Sequence, residues 1–180
     1  MSGAGYVRRG MRVVYENLWL RFEAHDMVHP TGVEGAHGVV VTSPASAVVL
    51  VDGDDVLLAR QPRFAVDATV LEVIKGGSHD GESALACAIR ESREEAGVVA
   101  AHWTPLGSCY ELPSIVRHPV ALFLATGLTP APLPPEDVEK IEIVRMPFGD
   151  ALDACADGRI GDAVSAIALL RAHRARERER

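Results

Sequence analysis

Between residues 11 and 41 apolar and polar side chains alternate in short runs: Val13-Val14-Tyr15, Leu18-Trp19-Leu20-Arg21-Phe22 and Val39-Val40-Val41. The turn chemistry of His29-Pro30-Thr31-Gly32 falls between them. A period near two predicts an antiparallel β region, with Trp19 as a core residue. Ala45 to Val51 and Val56 to Arg60 flank Asp52-Gly53-Asp54-Asp55, a hairpin pattern. Val70 to Ile74 is a short apolar strand running into Lys75 and Gly76. His102 to Tyr110 and Val120 to Ala125 read as strands joined by a loop over Glu111 to Pro119. A strand is expected from Val138 to Met146 after the Pro-rich connector Ala131 to Pro135, then an amphipathic helix over Phe148 to Ala156. A last helix follows, with Asp162 as its N-cap. Its final stretch, Arg171 to Arg180, holds five Arg and two Glu and reads as a frayed, solvated end.

One segment breaks this β-rich pattern. Gly76 to Val98 reads GGSHDGESALACAIRESREEAGV. The Ala-rich centre favours helix and Gly97 is placed to end it, which predicts a helix from about Glu82 to Ala96. On it Glu91, Glu94 and Glu95 stand three and four residues apart, on one face. Like charges at that spacing repel by a few tenths of a kcal/mol per pair. Two readings answer the cost: a solvated face laced with Arg–Glu pairs, or a carboxylate cluster around a divalent cation, with Arg90 and Arg93 supplying part of the positive charge.

Composition narrows the second reading. One ordinary domain, with or without a small appendage, accounts for 180 residues, and the net charge is −7. An acidic balance argues against a nucleic-acid groove or an anionic membrane as the main partner, though not against a small anionic substrate held through a metal ion. The N-terminus lacks a long apolar run, so neither a signal peptide nor a membrane span is expected and the cytoplasm is the default compartment. Three scattered cysteines, at 87, 109 and 155, read as free thiols.

Gly76, five residues, Glu82, seven residues, then Arg90-Glu91-Ser92-Arg93-Glu94-Glu95-Ala96-Gly97-Val98 resembles the Nudix box: Gly, five residues, Glu, seven residues, Arg-Glu, an aliphatic, any residue, Glu-Glu, any residue, Gly, an aliphatic. Every fixed letter is met. Ser92 stands where an apolar residue is usual. The resemblance is to the ADP-ribose and nucleotide-sugar pyrophosphatase branch of the Nudix hydrolases. It implies an α/β fold, an α/β/α sandwich around a mixed sheet, with residues 1–42 an N-terminal antiparallel β segment that pairs two subunits and 43–180 the Nudix domain. It implies Mg²⁺, or Mn²⁺, held by Glu91, Glu94, Glu95 and the main-chain carbonyl of Lys75. Arg90 would hold the carboxylates in place, and Glu82 would brace the loop–helix junction or reach an outer metal.

The resemblance also implies substrate contacts and a base. Arg63, at the end of Arg60-Gln61-Pro62-Arg63, matches a phosphate-facing Arg of the branch, with a strand-end salt bridge as the bland alternative. Glu72 matches the Glu of the branch's Glu-x-Pro-x-Gly lead-in, where Ile74 replaces the Pro. Pro113 lies sixteen residues beyond Gly97, as in Nudix enzymes acting on ADP-ribose. The loop acid that activates water in that branch falls at His118, so the base is His118, Glu111 or a later acid such as Glu139. The implied activity is hydrolysis of a small-molecule nucleoside diphosphate derivative by a homodimer, ADP-ribose first. Nucleotide sugars, nucleoside triphosphates and a non-catalytic sensor module are the alternatives.

Overall fold

A computed structural model of the chain describes residues 5–132 and 141–179. It divides into two compact units, one of Met1–Ser43 with Tyr110–His118, the other of Pro44–Cys109 with Pro119–Arg180. The N-terminal unit thus also takes in a stretch that chain order alone assigned to the Nudix domain.

That unit is a four-stranded sheet in the order β1 (Val7–Glu16), β2 (Leu20–Val28), β3 (Glu34–Thr42) and β9 (Val116–Arg117). The first three run antiparallel, as the alternation predicts, while β9 joins β3 in parallel through Val40↔Val116 and Val41↔Arg117. Trp19 does not enter the core. It stands 75% exposed beside Leu18 at the β1–β2 turn, where Asn17 Oδ1 accepts from the Trp19 and Leu20 N–H groups. The turn geometry, set by Asn17, overrides the apolar character of its neighbours.

The second unit is built on a seven-stranded sheet. Its main path is β11 (Glu142–Pro147), β5 (Asp55–Arg63), β4 (Ala45–Asp52), β10 (Pro119–Pro130) and β8 (Val98–Tyr110). β6 (Ala68–Glu72) pairs with β5, and β7 (Ile74–Gly77) with β4. The β4–β10 pair is parallel and β4–β5 antiparallel, so the sheet is mixed. The β4–β5 hairpin turns at Gly53, whose φ of +63° suits the residue without a Cβ.

Both faces of this sheet are covered, which explains its continuous apolar runs. On β4, Ala47, Val49 and Val51 join one core cluster and Val48 and Leu50 the other; on β5, Leu58 and Leu57 divide in the same way. The first cluster packs under α2 (Phe148–Ala156) and α3 (Ala163–Glu179), through Phe148, Ala151, Val164, Ala168 and Leu169. The second packs under α1 (Ala84–Glu94) through Ala88. This is the expected α/β/α layering.

Boundaries differ in detail. Helix α1 begins two residues later than expected, because Ser83 is its N-cap and accepts from Ala86 N–H at 3.2 Å. Gly97, at φ +63°, closes it as expected, donating to the Arg93 carbonyl. Ser92 is fully buried and donates back to the Ala88 carbonyl at 2.7 Å, so the polar residue at an apolar place is satisfied within its own helix. The C-terminal Arg run is not simply a solvated end. Arg171 donates to the carbonyls of Leu106 and Ser108, and the Arg176 guanidinium lies 4.6 Å from the centre of the Phe148 ring. Among the described residues no helix is long and apolar enough to cross a membrane.

Candidate active site

The box residues converge where β7 meets α1. Arg90 is the organiser. Its Nε and one terminal nitrogen hold both oxygens of Glu82 at 3.0 Å, in a two-pronged contact. Its other terminal nitrogen donates at 2.7 Å to Glu91 and to Glu94, while the one on Glu82 also reaches the Gly77 carbonyl at 2.8 Å. Glu82 in turn accepts from the His79 N–H, which ties the loop before the helix to the helix itself. Hydrogen bonds from Arg90 first, then from His79, pull the Glu82 carboxyl down from 4.5 to about 2. The same carboxylates hold Arg90 far inside its charged form.

Glu91 is the most enclosed of the acids, 8% exposed. It lies against the bare Cα of Gly76, where an added Cβ would overlap its carboxylate. Glycine is needed here for close approach rather than for a positive φ. One guanidinium thus faces Glu82, Glu91 and Glu94, with Glu95 next on the helix.

Among the described residues no three His, Cys, Asp or Glu side chains are gathered closely enough to hold a metal ion as they stand, since Glu91 and Glu94 are both drawn to Arg90. The chemistry of the donor set nevertheless fits a hard divalent ion. It offers carboxylate oxygens on one helix face and main-chain oxygen on the adjoining strand β7.

The sequence-predicted substrate contacts are engaged elsewhere in the second unit. Glu72 is 2% exposed; one oxygen accepts from Gln61 at 2.8 Å and Arg63 at 2.7 Å, and the other from Lys75 at 2.9 Å. Lys75 Nζ also meets Asp162 at 2.7 Å. Asp162 accepts from the Ser165 N–H and hydroxyl, and the Ser165 hydroxyl accepts from Val73 N–H. Burial pushes the Lys75 ammonium down, but the charges of Asp162 and Glu72 outweigh it and the net movement is upward. For Asp162 burial pushes up, and Lys75 with Ser165 brings the carboxyl down overall. This chain of alternating charge was missed from sequence, except for Asp162 as a cap, because its members are scattered along the chain.

The remaining candidates lie in the N-terminal unit or beyond the described residues. His118 Nδ1 lies within hydrogen-bond distance of the Thr42 hydroxyl and, at 2.9 Å, of the Ser43 carbonyl. A bond to a carbonyl requires the proton on Nδ1, which leaves Nε2 as the acceptor of a neutral ring. Pro113 lines a cavity of about 630 Å³ with Tyr6, Met27 and Tyr110, and Glu111 is exposed. Glu139 lies outside the described residues.

The NUDIX domain family model matches residues 41–166, well over half of the chain. The chain belongs to the Nudix family. It is 38% identical over 94 residues to the NAD-capped RNA hydrolase NudC of Pseudomonas aeruginosa, a match covering 51% of this chain and 33% of that protein. The chain therefore spans about a third of the length of that relative. A CMP-5'-(N-acetyl-N-hydroxy-3-aminopropyl)phosphonate hydrolase of Streptomyces rubellomurinus is 28% identical over 167 residues, 92% of this chain and 81% of that one. The crystal structure of an ADP compounds hydrolase superposes with a TM-score of 0.86 at 23% identity, over 97% of this chain and 95% of the other. That likeness is one of fold.

Proposed function

We propose that this chain hydrolyses the diphosphate bond of a nucleoside diphosphate derivative with a divalent cation, Mg²⁺ or Mn²⁺, and that ADP-ribose, cleaved to AMP and ribose 5-phosphate, is the first substrate to test. The observation that carries the reading is the intact set of box acids around Arg90, with the Glu91 carboxylate seated against Gly76. Sensor modules that only bind have no need to retain such a costly cluster.

Glu91, Glu94, Glu95 and the Lys75 carbonyl would hold the cation, which when bound neutralises the diphosphate and lowers the pKa of water. The chain's own part is positional. Arg90 fixes the carboxylates, Glu82 fixes Arg90, and Gly76 leaves room for Glu91. Arg63 is assigned to a substrate phosphate, using guanidinium surface not spent on Glu72.

The names of the similar proteins support a nucleotide derivative: NAD-capped RNA, a CMP-linked phosphonate and ADP compounds. The N-terminal β segment is read as the dimerising element, with Met11, Val13, Val14 and Tyr15 as exposed apolar side chains on β1. Nucleotide substrates and three free thiols suit a cytoplasmic enzyme.

The test is a panel of ADP-ribose, nucleotide sugars, dinucleotides, NAD-capped RNA and nucleoside triphosphates, assayed for Mg²⁺-dependent release of monophosphate. Selective cleavage of ADP-ribose supports the reading. Tight binding of one compound without cleavage of any would replace it with the sensor.

A further inference from the structure

Successive residues of the β7 region serve opposite faces of the sheet. Val73 packs in the cluster under α3, and Ile74 in the cluster with α1. Lys75 then reaches Asp162 at the start of α3, while Gly76 abuts Glu91 on α1. Strand alternation makes this division. Whatever fixes the Lys75 side chain therefore also fixes the main chain that confronts Glu91 on the other face.

An ammonium between two enclosed carboxylates is a poor choice for stability alone. Burying the charges is costly, and an apolar side chain of similar volume is often neutral or better. Its Nζ is 2.9 Å from Glu72 and 2.7 Å from Asp162, with Lys75 and Asp162 side chains only 15% and 16% exposed. The bonds also link three elements at fixed points: Glu72 on β6, Lys75 on β7 and Asp162 at the start of α3. β7 has only four residues and β4 as its paired neighbour, so a side-chain tether adds what its short ladder lacks.

We propose that Asp162 is a positioning residue for the cation loop: through Lys75 it holds the Lys75–Gly76 main chain in register with the Glu91 carboxylate. The inference rests on reading the box as a cation site.

The test is equilibrium Mn²⁺ binding in the absence of substrate, followed by electron paramagnetic resonance of the free ion. Asp162→Asn keeps a capping side chain but removes the charge that holds Lys75. It is expected to weaken Mn²⁺ binding about tenfold, in the range of outer-shell ligand effects, with an unchanged circular dichroism spectrum. Ser165→Ala, which loosens the α3 cap but leaves the Lys75 pair, is expected to lower Tm and leave Mn²⁺ affinity alone. Lys75→Met should weaken binding as Asp162→Asn does, and the double variant should lose no more than either, since both cut one tether. Wild-type Mn²⁺ affinity in a folded Asp162→Asn protein would overturn the inference, as would equal losses in Ser165→Ala. If the unmodified protein neither binds Mn²⁺ nor cleaves any of the panel, the cation-site reading falls and this inference with it.

Discussion

Gly76 and Glu91 carry the central contact of the site, and neither residue explains itself alone. The carboxylate reaches its enclosed place because residue 76 has no side chain. Gly76→Ala is expected to keep the fold, since the displaced group is the end of a flexible side chain, and to lower Mg²⁺-dependent turnover by about tenfold or more. Circular dichroism with a Mg²⁺ titration of the rate checks both halves. Near-normal turnover at ordinary Mg²⁺ would mean that Glu91 does not need this seat. The one-face grouping of the acids was legible in the sequence, because helical spacing is local geometry. Their capture by Arg90, and the overlap that makes Gly76 a matter of space, were not. Ser92 shows the same limit: a polar residue at an apolar place is explained only by the Ala88 carbonyl it bonds.

For the elements, the junction between loop and helix is held by charge. Glu82, brought down from 4.5 to about 2, stabilises the folded state fully above its ordinary value, and that contribution disappears as pH falls from about 4.5 towards 2. Glu82→Gln is therefore expected to lower Tm at neutral pH and to flatten the acid limb over that window, as thermal melts across pH would register. Parallel curves for the two proteins would deny Glu82 this role. Helix α2 was read from sequence with its observed bounds, since its apolar stripe and flanking signals agree. Helix α1 starts two residues after the expected Glu82, because Ser83 caps the helix rather than lying within it. Asp162 was legible as a cap, but its partner Lys75 was not, being brought to it by the packing of α3 on the sheet.

At the level of the whole molecule, the α/β/α layers around a mixed sheet were legible from alternating runs and from the box. The parallel attachment of β9 to β3 within the N-terminal unit was not, since no local pattern marks a two-residue strand. Exposure of Trp19 and the packing of Arg171 and Arg176 likewise depend on partners distant in sequence or on turn geometry. The proposed dimer predicts a solution mass of two chains by multi-angle light scattering. A mass of one chain throughout the working concentration range would leave the N-terminal segment without that role.

The central claim, hydrolysis at the box through a cation held by its acids, is tested most directly by comparing the unmodified protein with Glu95→Gln for Mg²⁺-dependent release of AMP from ADP-ribose. The expected result is steady release by the first, abolished by chelation, and a fall of about a hundredfold or more in a variant that melts like its parent. Equal rates for the two proteins under Mg²⁺ would contradict it.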